Sequence, residues 1–212
     1  MKALFPMIFL LVVATAATSQ KKSNVLDENY KGGSETFYQL FQMNVGMSYP
    51  KRNSFGTTIL YWEVIDQKIQ NVIVYNSIDD ETNHQIKSIL DMTRGNWLPS
   101  ESVNKYYLPI IIRSSREDFF VAEFPEYFLP KIEIVHFGGD YKLKSDNKME
   151  KLMNKAISKN EFEKALKYLN EMIRRNPMSI ELRKTRVFCY QKLQRDKDAK
   201  KDSEFISTFL VN

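Results

Sequence analysis

Residues 56–75 read GTTILYWEVIDQKIQNVIVY. Thr57 to Ile65 is dense in β-branched and aromatic residues, which fit a pleated, half-buried surface, so it reads as a strand. Alternate positions make two faces, with Leu60, Trp62 and Val64 on one and Ile59, Tyr61, Glu63 and Ile65 on the other. Asp66-Gln67-Lys68 supplies a turn, and Ile69 to Tyr75 reads as a second strand with Val72 and Val74 on one face. A loop this short requires the two strands to be antiparallel neighbours.

Downstream of the hairpin, Ser77 or Asp79 can cap a helix, with Asp80 and Glu81 in its first turn. Ile86, Ile89, Leu90 and Thr93 form its apolar stripe, and Gly95 is placed to end it in a left-handed conformation. Leu108 to Arg113 reads as a third strand; its Pro109 lacks a donor, which places the strand at the sheet edge. Upstream, Gln20 to Tyr30 is polar and reads as a flexible lead-in. After Gly32-Gly33, Ser34 is a candidate cap for a short helix over 34–43 that would bury Phe37, Leu40 and Phe41. Tyr49-Pro50 marks extended or turning chain.

The order Gly32-Gly33, Phe37, Tyr49-Pro50, the Gly56–Tyr75 hairpin, Ile86, Leu90, Gly95-Asn-Trp97-Leu-Pro99 and Leu108-Pro-Ile resembles the TonB C-terminal domain, most of all the version common in Bacteroidetes-type envelopes. The resemblance covers about residues 32–115. It implies a small antiparallel three-stranded sheet with two helices. It also implies binding rather than catalysis: TonB domains contact outer-membrane transporters in the periplasm and take up an extended segment by strand addition. The edge so implied is the strand around Leu108, with Ile110, Ile111, Ile112 and Arg113 as partner-binding residues. The chain departs from an energy transducer in having no Pro-rich spacer. The stretch from Pro50 to Gly56 is also shorter than the family's usual connection.

Residues 1–19 have the layout of a secretory signal peptide: Met1-Lys2, an apolar run from Ala3 to Ala14 broken by Pro6, then small residues to Ser19. The run is shorter than the ~20 residues that cross a bilayer. Cleavage after Ser19 is expected, and an uncleaved anchor is the alternative. The mature protein is thus expected in the periplasm.

Residues 116–147 form an aromatic-rich connection. Phe119, Phe120, Phe124, Tyr127 and Phe128 crowd together, so the segment must pack on something, whereas linkers are polar. Ile132 to Phe137 is a candidate extra strand, followed by Gly138-Gly139. Residues 148–212 carry a period of 34, with Ala165 matched by Ala199 and Ala156 by Tyr190. The first copy, from Ala156 through Phe162, Ala165 and Leu169 to Asn176-Pro177, resembles a tetratricopeptide repeat. Four helices are predicted, over 148–158, 161–175, 179–194 and 196–209. The fold class is therefore α+β, followed by an all-α, tetratricopeptide-like helical hairpin domain.

The 212 residues include 1 Cys, 2 His, 7 Gly and 7 Pro, which excludes a disulfide scaffold, a Cys-rich zinc module and low-complexity chain. The net charge of +5 is unevenly spread: residues 20–147 carry −3 and residues 148–212 carry +7. The basic part reads as a Lys-rich helical surface rather than a nucleic-acid site. His84 falls off the apolar stripe of its helix and His136 sits in the candidate extra strand, with nothing to bring them together. Asp79-Asp80-Glu81 lacks the alternation of a calcium loop and suits a helix start. Tyr61, Trp62, Trp97 and Tyr106-Tyr107 read as sheet core and rim, with a stacking platform as the sharper alternative. Cys189 reads as a small buried residue. No catalytic, metal or cofactor-binding residue is predicted, and no enzyme. The expected partner is an envelope protein, which the TonB resemblance implies to be a TonB-dependent transporter; the alternative is an assembly protein whose repeats make a homodimer.

Overall fold

The computed structural model describes residues 24–45, 55–114, 123–136 and 144–210. The leader, Tyr49-Pro50, Phe119, Phe120, Phe137 and Gly138-Gly139 lie outside these residues. The chain is α+β, with seven helices and one four-stranded mixed sheet among the described residues. It divides into two compact units, one taking residues 24–45, 55–114 and 127–136, the other 123–126 and 144–210.

In the first unit, β1 (Gly56–Ile65) and β2 (Lys68–Tyr75) form the hairpin, closed by Asp66 and Gln67 at φ 46° and 63°. Two successive left-handed residues match the twist of the flanking strands. β3 (Asn104–Ser114) lies antiparallel on the other side of β1, with Leu60 opposite Leu108 and Trp62 opposite Tyr106. β4 (Ile132–His136) then pairs in parallel with β3, Ile110 opposite Ile132. The order is β2-β1-β3-β4, so the three-stranded antiparallel sheet expected from the sequence gains a fourth, parallel strand.

The lead-in is folded from Asn24 onward, contrary to the reading of 20–31 as flexible. α1 (Val25–Asn29) buries Leu26, and Tyr30 after it is buried as well. Lys31 N donates to Asn96 O at 2.7 Å and Leu98 N to Asn29 O at 2.9 Å, so this short segment is stitched to the chain beyond the third helix. α2 (Gly33–Asn44) is capped not by Ser34 but from outside: Asp27 Oδ1 accepts from Ser34 N at 2.7 Å and from its hydroxyl at 2.6 Å. α2 buries Phe37 and Phe41 and leaves Leu40 half-buried.

α3 (Asp80–Met92) begins at Asp79, whose side chain accepts from Thr82 N at 2.7 Å, and ends at Gly95 with φ 82°. Its stripe Ile86, Ile89, Leu90 and Thr93 is buried. α2 lies over β4 and α3 over β2. Beneath them, Phe37 stacks on Trp62 at 5.8 Å and Trp62 on Tyr106 at 5.1 Å, with Trp97 edge-on to Phe37. Each such buried ring removes enough apolar surface from water to stabilise by about 1.5–3 kcal/mol.

The second unit is helical: α4 (Asp146–Ser158), α5 (Phe162–Arg175), α6 (Ile180–Lys192) and α7 (Asp196–Phe209). Met153, Ala156, Ala165, Leu166, Leu169, Cys189, Tyr190 and Ala199 make its core. Small residues at 156, 165 and 199 let neighbouring helices approach closely. Buried Arg175 ties the end of α5 to the start of α4, donating to Lys144 O and Asp146 Oδ1, both at 2.9 Å.

Candidate partner-binding surface

The predicted site residues Ile110, Ile111, Ile112 and Arg113 lie in an inner strand. β3 is paired with β1 on one flank and with β4 on the other, and the three isoleucines are buried. Arg113 donates through Nε to Glu133 of β4. Backbone already paired on both flanks has no groups left for an added strand, so these four residues are not an open edge in this fold.

Pro109 misled because its missing donor is accommodated inside the sheet. Tyr107 O accepts from Leu129 N at 2.8 Å, so Tyr107 turns its backbone groups away from β1. Backbone direction alternates along a strand, and Pro109 therefore faces the same way. The β3–β4 ladder opens only at Ile110 opposite Ile132, one residue later. The absent N–H falls in the gap between the Leu129 bond and that ladder.

Among the described residues the sheet's edges are β2 and β4. β2 is the longer, at eight residues, and among the described residues no strand pairs with its outer flank. Asn76 Nδ2 donates to Thr57 O at 2.5 Å, so the odd-numbered residues of β1 face β2. Ile59–Tyr75 and Tyr61–Ile73 are then the hydrogen-bonded pairs, and Val74 turns its backbone groups outward. The register slips between Tyr61 and Glu63, where Asn71 takes φ 50° as the extra residue of a bulge. The bulge leaves Val72 and Val74 as the outward-facing positions of the regular run, with no strand paired to them among the described residues. Ile73 is 42% exposed there.

On the sheet face away from Trp62, rings run from strand to strand. Tyr75 of β2 lies 6.3 Å from Tyr61 of β1, which lies 4.9 Å from Tyr107 of β3. Tyr107 stacks on Phe128 at 5.1 Å and meets the edge of Tyr127 at 5.6 Å. Tyr61 donates its hydroxyl to Glu63, and Asn71 Nδ2 donates to the other Glu63 oxygen at 2.6 Å. These two bonds hold the Glu63 carboxyl below its ordinary range, while burial and the hydrogen bond to Glu63 raise Tyr61. Of the five rings singled out in the sequence, Trp62, Trp97 and Tyr106 are core, and only Tyr61 and Tyr107 belong to this row.

His84 is exposed on α3, and His136 is the last residue of β4. Asp79 serves as the cap of α3. No group of three His, Cys, Asp or Glu that could hold a metal ion occurs among the described residues. Among them, too, no helix is long and apolar enough to cross a membrane.

The described residues define a two-unit chain, an α+β unit whose mixed sheet has β2 and β4 at its edges and a four-helix unit. No family model, curated protein or solved structure matches it.

Proposed function

We propose that the chain is an exported binding module of a Gram-negative envelope that takes up an extended segment of an envelope protein by strand addition. The observation that carries this reading is the outer flank of β2 at Val72 and Val74, with which no strand pairs among the described residues. Main-chain groups of such an edge supply affinity, and side chains alternating above and below it supply choice. Ile73 and the ring of Tyr75 would meet one alternate set of the incoming residues. The resemblance of residues 32–115 to the TonB C-terminal domain supports a TonB-dependent transporter as the partner. On this reading the helical unit is a pair of tetratricopeptide-like repeats and the α+β unit makes the contact, without catalysis or cofactor.

The test is capture from envelope extract with residues 20–212 as bait, run beside Val74→Pro. Proline at an outward-facing edge position removes a donor without breaking the pairing to β1. Enrichment of outer-membrane transporters that disappears in Val74→Pro supports the reading. Undiminished capture by the variant removes β2 as the site, and capture of no transporter by the parent chain removes the function.

A further inference from the structure

Lys148, Lys151, Lys155 and Lys159 follow one another along α4 and its C-terminal cap, and all four are exposed. Spacings of three, four and four residues place them on one face of a helix with 3.6 residues per turn. The row is about 16 Å long at ~1.5 Å per residue. None of the four makes an ion pair among the described residues. Within α4 no Asp or Glu stands three or four positions from any of them, whereas the lysines stand so from each other. Glu161, the carboxylate near Lys155 and Lys159, accepts a hydrogen bond from Lys164 Nζ at 2.8 Å instead. Like charges at these spacings weaken a helix. The stripe is thus a positive row, with Glu161 as a partial counter-charge at its C-terminal end, on the unit that already carries the chain's positive charge.

We propose that this face of α4 docks the chain on an anionic lipid surface. A bilayer carrying acidic headgroups presents diffuse negative charge in a plane, which is what a straight row of flexible point charges complements. Fixed-geometry recognition of phosphates favours arginine forks, and single-stranded nucleic acid favours interleaved rings; the row contains neither. Of the apolar residues of α4, Met149, Met153 and Ala156 are buried in the helical unit, and Leu152 and Ile157 are half-buried. No apolar side chain of α4 is fully exposed for insertion among acyl chains, so attachment is chiefly by charge and reversible by salt.

The test is flotation of the full chain with vesicles of phosphatidylcholine containing about 30% phosphatidylglycerol, at low and high salt. A variant with all four lysines changed to Gln is compared with a control carrying Lys184→Gln, Lys192→Gln, Lys197→Gln and Lys200→Gln, which loses the same charge from other helices. Each lysine near such a surface strengthens binding by about fivefold, so the α4 variant is expected to bind several-hundred-fold more weakly, roughly in proportion. The control should bind close to the parent, and high salt should release the parent. Equal loss in both variants overturns the proposal, as does failure of the parent to bind at low salt. Tighter binding of the parent to duplex DNA or to polyglutamate than to the vesicles overturns it as well. Circular dichroism of both variants confirms that each is folded.

Discussion

Asp202 accepts hydrogen bonds from two arginines in the interior of the helical unit. Arg183 Nη1 reaches Oδ1 at 2.7 Å, and Arg186 reaches both oxygens, at 2.6 and 2.7 Å. Arg183 also donates to Pro177 O at 2.6 Å and lies over the Phe205 ring at 3.4 Å. Burial lowers Arg183 to about 10, against the pull of Asp202. One carboxylate thus holds two guanidinium groups, and its loss would leave them facing each other without compensation. Asp202→Ala is expected to destabilise the helical unit by about 3–5 kcal/mol, read from urea unfolding. In the other unit, the Tyr106 hydroxyl is buried with no hydrogen-bond partner among the described residues, beside the Trp62 indole nitrogen in the same state. Tyr106→Phe removes an unpaired polar group while keeping the ring stack, so a gain of about 1 kcal/mol is expected. A loss of stability would reveal a bridging partner at that hydroxyl.

At the scale of elements, the open edge depends on the bulge at Asn71. A left-handed conformation costs most side chains about 1–2 kcal/mol, and asparagine tolerates it by bonding locally. Asn71→Val should therefore destabilise the sheet by more than Asn71→Gly, which keeps the backbone freedom and loses only the bond to Glu63; thermal melts of the two variants make the comparison. Much of this architecture was legible in the sequence. The hairpin, the α3 stripe, the Asp79 cap and the left-handed Gly95 all follow from local patterns, and so do the four C-terminal helices within a few residues. What was not legible is long-range. Nothing in Ile132–His136 says that it pairs in parallel with β3, and without β4 the rule about proline in strands points to an edge. The polar look of residues 24–31 likewise hid Leu26 and Tyr30, two core residues too few to make a pattern. The lysines of α4 were visible only as general basicity, because their alignment needs the helix phase and the positions of the nearby carboxylates.

For the whole molecule, a sheet edge of the kind proposed to take a partner is also one on which a second copy could pair. The Asn71 bulge shortens the regular run, and Lys68 stands at its far end, both of which discourage edge-to-edge pairing. The chain is expected to sediment as a monomer; a dimer abolished by Val74→Pro would mean that β2 pairs with itself. Alkali gives a second test. Burial raises Tyr38, Tyr61, Tyr75 and Tyr107, and pushes Tyr106 up to about 12. A raised phenol contributes stability below the unfolded value of about 10 and loses it as pH climbs toward the folded one. The share of the tyrosinate absorbance that belongs to these five phenols is therefore expected to rise together with the loss of circular dichroism, above about pH 10.

The central position of β1 also bears on how the unit acquires its structure. The β1–β2 hairpin closes through a two-residue turn and can form on the microsecond scale of local contacts. β3 reaches the other flank of β1 only after α3 has been traversed, and β4 follows later still. Until then β1, which ends up almost wholly buried, has one row of backbone groups unsatisfied beside a face of exposed rings. Non-local pairing of this kind is slow and leaves time for wrong partners. A chain released amino end first would carry that exposed flank for the whole interval, so its yield should depend on a holding chaperone more than its final stability would suggest.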